Sequence, residues 1–407
     1  MMFTLMNRFT KAMENHSMWN KPWKSAEGYL IGGGLVAVGI LFQLVAGPIQ
    51  WDHFAWPVNI IILIIFLSII GLMYCLRSKV YLFEWMMHIQ SAIPSIAYAL
   101  GLTIIMGVTV QTDHGGIPWL SQMLTFWPFV LIYTWITLIA GLVTLKRIMH
   151  FRVKDIPFIL NHLGLFIAMT CATLGNADMQ KLQMTVRTDV PEWRALDRQG
   201  DTVELDLAIE LHKFTKEEYP PQLLLADHKE EKVLQEGEHA GWKIQVLKRF
   251  DEAALIHNDE GIRYEPWNST GATTAMMIKA SKDTRNVVGW VSCGSYMFPS
   301  KSLTLDDRHS VIMPERSPKR YASDISVYTK DGKQTKGVVE VNKPMKIEGW
   351  KIYQYSYDRS RGRWSETSIF ELVKDPWLPA VYCGIFMMLA GAICLMLFMA
   401  PKPIKED

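Results

Sequence analysis

The stretch IPFILNHLGLFIAMTCATLGNAD, residues Ile156–Asp178, decides how the rest of the chain is read. It is apolar over the roughly 20 residues that a helix rising ~1.5 Å per residue needs to cross a bilayer core. Only Asn161 and His162 break the run before its end. A titratable ring in hydrocarbon is costly, so it faces a partner helix, a cavity or a ligand. The fold follows from the length of the stretch, and the function turns on its histidine.

Five further segments have the same length and composition: Gly28 to Ala46, Trp56 to Leu76, Ile89 to Val110, Trp127 to Leu145 and Pro376 to Met399. The 49% hydrophobic content of the 407 residues is therefore concentrated in runs before Gly175 and after Asp375, with the charges between them. The connections give an orientation, because Lys and Arg in short loops mark the cytoplasmic side. Arg8, Lys11, Lys21 and Lys24 precede the first helix, and Arg77 and Lys79 follow the second. Lys146, Arg147, Arg152 and Lys154 join the fourth to the fifth, and Lys402 and Lys405 follow the sixth. The alternate loops, GPIQWDHFA and QTDHGGIPWLSQMLTF, contain neither Lys nor Arg. The expected plan is a cytoplasmic N-terminus (1–27), five transmembrane helices (28–174), an extracytoplasmic domain (175–375), a sixth helix (376–399) and a cytoplasmic tail (400–407). With no h-region or cleavage site in the first residues, the first helix is expected to direct membrane entry. The charge pattern, without a plastid transit signature, points to a bacterial inner membrane.

The extracytoplasmic domain reads as β-rich. In VELDLAIEL, Val203, Leu205, Leu207, Ile209 and Leu211 alternate with Glu204, Asp206 and Glu210, the period of a half-buried strand. Asp331-Gly332 between two strand-like runs favours a hairpin turn. GWKI occurs at Gly241 to Ile244 and again at Gly349 to Ile352, which leaves open a pair of related β units forming a sandwich, or chance.

Several function classes are excluded. A net charge of +2 and no long basic tract argue against a nucleic-acid partner. Cys293 stands alone in the polar domain and Cys75, Cys171, Cys383 and Cys394 lie in apolar runs, so no disulfide is expected within that domain. Without C-x-x-C there is neither a thioredoxin-like motif nor, lacking C-x-x-C-H, covalent c-type haem. Phosphate loops, H-E-x-x-H, G-x-S-x-G and paired membrane carboxylates are also missing.

Among the histidines, His162 offers the most. On a helix its i±3 and i±4 neighbours are Phe158, Ile159, Leu165 and Phe166, so the ring emerges on an apolar stripe between two phenylalanines, ~9 Å from the cytoplasmic end. One reading makes it a contact to a neighbouring helix. The other makes it an axial ligand to haem iron in a dry, aromatic slot. His88 at an interface and His53 and His114 in loops read as solvated. Trp51, Trp56, Trp119, Trp127 and Trp377 fall near membrane edges, where an aromatic belt is expected.

These segments carry a resemblance. HLGLFIAMTCATLGNAD entering a β-rich domain, then YASDISVYTKDGKQTKGVVEVNKPMKIEGWKIYQYSYD and DPWLPAVYCGIFMMLAGAICL, resembles the ResB (CcsB) family from about Ile156 to the C-terminus. ResB proteins often have fewer helices than the six counted here. The resemblance implies System II cytochrome c-type biogenesis: haem transport and attachment with a ResC (CcsA)-type membrane partner that carries a W-W-D segment absent from this chain. It implies haem b as a transient, non-covalent cofactor, His162 as the ligand to its iron, apocytochrome c as a further partner, and no catalysis by this chain alone. The alternative is a membrane-anchored binding or scaffold protein in which His162 is only structural.

Overall fold

Six helices among the described residues are long and apolar enough to cross a membrane. The computed structural model describes residues 19–111, 118–235, 239–258 and 261–398, so His114 and the basic residues Arg8, Lys11, Lys402 and Lys405 lie outside it. The helices are α1 (Ser25–Ala46), α2 (Val58–Leu76), α3 (Ile89–Val108), α4 (Trp127–Met149), α5 (Ile156–Gly175) and α6 (Leu378–Phe398). On α2, Ile61, Ile64, Ile65 and Leu72 are exposed, a surface that water would not tolerate and acyl chains would cover. The chain divides into a helical unit, Met1–Met179 with Asp375–Asp407, and a β unit, Gln180–Lys374.

Within the helical unit, polar groups fasten helices where apolar attraction gives no preference between protein and lipid. Gln43 of α1 accepts from the Trp127 backbone N–H (3.2 Å), and the Trp127 indole donates to the Gly47 carbonyl (2.9 Å). At the end of α5, Asp178 accepts from the Trp56 backbone N–H (2.7 Å), the Asn59 amide (2.7 Å) and the Trp377 indole (2.6 Å). That one carboxylate ties the start of α2 and the approach to α6 to the end of α5. Helices α5 and α6 come into backbone contact, since a Cβ on Gly384 would lie only 2.6 Å from the Gly164 carbonyl oxygen. Asn161 completes this seam by donating to the Met388 carbonyl (3.1 Å).

The β unit is antiparallel. The eight-stranded sheet is formed by β1 (Gln180–Arg187), β2 (Glu192–Leu196), β3 (Thr202–Glu218), β12 (Pro318–Thr329), β13 (Gln334–Glu340), β14 (Met345–Ile347), β15 (Trp350–Tyr357) and β16 (Thr367–Lys374). Its order is β13-β12-β3-β2-β1-β16-β15-β14, around a core that includes Met184, Ile209, Leu211, Ile325, Ile352 and Phe370. The other strands are β4 (Leu224–Asp227), β5 (Lys232–Val233), β6 (Lys243–Asn258), β7 (Gly261–Pro266), β8 (Thr273–Lys282), β9 (Arg285–Ser292), β10 (Leu303–Thr304) and β11 (His309–Ile312). They make two four-stranded sheets, β10-β11-β4-β5 and β7-β6-β8-β9, that share a second core through Leu225, Val311, Ile278 and Val291. Strand β3 (Thr202–Glu218) has the expected alternation as far as Leu211, and then Phe214 and Lys216 are buried instead. A bulge shifts its pairing with β12 (Pro318–Thr329) between Leu211 and Lys213, which moves the buried face by one residue. The Asp331-Gly332 turn joins β12 to β13 (Gln334–Glu340). Both GWKI segments make the same local structure: Ala240-Gly241 and Glu348-Gly349 all have positive φ, each turn leads into a strand, and a lysine lies over each tryptophan. The strands belong to different sheets, β6 (Lys243–Asn258) and β15 (Trp350–Tyr357). Arg320 bridges Glu217 (2.7 Å) and Glu340 (2.6 Å), and this guanidinium holds the Glu340 carboxyl down to about 2.

Candidate functional site

The start of α5 builds its own support for His162. Asp155 precedes the helix and Pro157 sits in its first turn, where a missing N–H costs nothing. The buried Asp155 carboxylate takes Arg147 Nη1 at 3.1 Å. The Arg147 guanidinium lies 4.9 Å from the centroid of the Phe158 ring, and Phe158 stacks on His162 with centroids 3.8 Å apart and planes at 18°. Acid, cation, ring and imidazole thus form one column running up the helix.

The imidazole is also oriented by a hydrogen bond. His162 Nδ1 is 3.1 Å from the Phe158 carbonyl oxygen. A carbonyl can only accept, so Nδ1 carries the proton and Nε2 of the neutral ring keeps its lone pair. Nε2 has no hydrogen-bond partner among the described residues. Metal-binding histidines are commonly held in this way, with the second nitrogen bonded to a carbonyl or carboxylate.

His162 lines a cavity of about 690 Å³ between α3, α4 and α5. That volume lies in the range of small-molecule and cofactor sites. Ala92, Ile96, Ile136, Ile139, Ala140, Val143 and Leu165 supply apolar walls, while His88, Lys146, Arg147, His150, Arg152 and Asp155 supply polar ones. The polar groups come from the end of α4, the connection to α5 and the N-cap of α3. The cavity thus joins apolar walls to an imidazole nitrogen without a partner among the described residues and to several cationic side chains.

The sequence places some of these residues and misses others. His162 lines the cavity, and Phe158 flanks it as the spacing suggests. Phe166 does not: it is buried against Phe66 of α2, ring centroids 6.2 Å apart, in space left by Gly141 on α4. His88 is exposed, as expected, yet it lines the same cavity. His53 is an exposed residue of the Trp51–Phe54 turn. His150 was not anticipated, because α4 runs to Met149 and not only to Leu145. Its Nδ1 lies 3.1 Å from the Lys146 carbonyl, repeating one turn of helix away the device seen at His162. The Lys146-to-His150 spacing of four was the available signal. In the β unit, Asp189, Glu210 and His212 bring ligand atoms within 4.8 Å of one another. Partners within the sheet account for two of them: His212 Nε2 contacts Ser326 Oγ (2.7 Å), and Tyr328 donates to Glu210 (2.5 Å).

The sequence profile of the ResB-like family matches residues 152–369, more than half of the 407-residue chain. The matched span takes in Arg152, Asp155, Phe158 and His162 and ends in β16 (Thr367–Lys374). No curated protein matches the chain.

Proposed function

The chain belongs to the ResB-like family, which is associated with cytochrome c biogenesis, and from that premise we propose that it carries haem through the membrane as one subunit of a System II maturation assembly. The observation that carries this reading is His162, its Nδ1 tied to the Phe158 carbonyl and its Nε2 unpartnered, on the wall of an apolar cavity. Haem is the cargo. His162 Nε2 is the axial ligand to its iron, the apolar walls exclude water from the ring, and the Arg147–Asp155 pair keeps Phe158 stacked on the imidazole. The cavity's polar residues belong to the basic connections, so haem enters from the cytoplasm of a bacterium and its β unit meets apocytochrome c on the other face. A ResC (CcsA)-type protein supplies the groups for thioether formation, because this chain has no motif for that chemistry.

Partner dependence tests this division of labour. In a host stripped of its own maturation system, the chain expressed alone should give no covalent cytochrome c on a haem-stained gel, and co-expression of a ResC-type protein should restore it. Covalent haem from this chain alone would overturn the proposal.

A further inference from the structure

The cavity's cations are unequally paired. Arg147 is half-exposed and already has the Asp155 carboxylate at 3.1 Å. Lys146, its half-buried neighbour, and the exposed Arg152 line the same cavity, and their side chains have no hydrogen-bond or ion-pair partner among the described residues. A partly buried ammonium without a counter-ion is unfavourable unless a ligand supplies one. His162 is on α5 whereas Lys146 is on α4, so one occupant can meet both an imidazole and two unpaired cations.

We infer that Lys146 and Arg152 read two carboxylates on the cavity's occupant. This deepens the proposed function and rests on it: for haem, the carboxylates are the two propionates, so the propionate edge stays with the basic residues and the vinyl-bearing part of the ring is directed away from them. Orientation then precedes delivery, because attachment takes place at the vinyl groups. Two carboxylate contacts fix which edge of the ring leads, whereas an axial bond alone leaves the ring free to rotate. Anchoring of Lys146 and Arg152 to lipid phosphates at the membrane surface would give the same charges without this selectivity.

The test uses the purified full-length chain in neutral detergent and ligands without iron, so that the axial bond does not contribute. Metal-free protoporphyrin IX and its dimethyl ester are titrated against tryptophan fluorescence. The wild-type chain should bind the diacid on the order of tenfold or more tightly than the diester. The Lys146→Gln/Arg152→Gln double variant should lose that preference with diester binding unchanged, and the Lys146→Arg/Arg152→Lys variant should retain it. Equal affinities for diacid and diester in a wild-type chain that still gives a haem Soret band would overturn the carboxylate inference alone and assign the cations to lipid. Persistence of the preference in the double glutamine variant would also overturn it. A wild-type chain that takes up no haem at all overturns the reading beneath it.

Discussion

Asn161 and His162 are neighbours in sequence and ~100° apart around the helix, and that angle separates their tasks. Asn161 turns to α6 and donates to the Met388 carbonyl, while His162 turns to the cavity. The interhelical hydrogen bond at this point of α5 is made by Asn161. Asn161→Leu should therefore cost about 1 kcal/mol of stability, the scale of a membrane interhelical hydrogen bond, and leave the haem-to-protein ratio unchanged. Thermal unfolding followed by circular dichroism, with haem assayed on the same sample, checks both halves. Loss of haem with an unaltered unfolding midpoint would contradict the separation. That His162 lines a cavity was legible because a polar residue in an apolar run has few tolerable environments. Phe166 was not, because helical spacing gives an approximate face, and the gap at Gly141 on another helix decides where the ring goes. The convergence of His88, His150 and Lys146 on one cavity is tertiary, and no spacing within a single helix encodes it.

At the scale of elements, length and composition fix the helices to within a few residues of where the structure has them, since hydrocarbon thickness sets the span. Strand β3 was legible only as far as Leu211, because the bulge that carries it to Glu218 depends on pairing with β12, more than a hundred residues away. The alternation of basic and non-basic connections carries a prediction of its own. Reporter fusions after Arg77 and after Lys154 should read as cytoplasmic, and one at Gly332, in the turn between β12 and β13, should read as external. A cytoplasmic signal from the Gly332 fusion would contradict the orientation on which the proposed haem entry depends.

In the whole molecule, the β unit Gln180–Lys374 is inserted between the two parts of the helical unit; the proposed function gives the cargo to the helical unit and the chemistry of attachment to a partner. The proposed haem carrier differs from a scaffold by one coordinate bond, the one assigned to His162. The most direct measurement is the haem content of purified His162→Ala protein, with and without added imidazole. Removing the ring deletes the axial nitrogen but no charge pair, and the helix keeps its Asp155, Pro157 and Asn161 contacts. The account predicts normal protein levels, loss of the Soret band, and partial recovery of that band when imidazole enters the vacated space and supplies the missing nitrogen. An alanine variant that retains its full Soret band, with no response to imidazole, would contradict it.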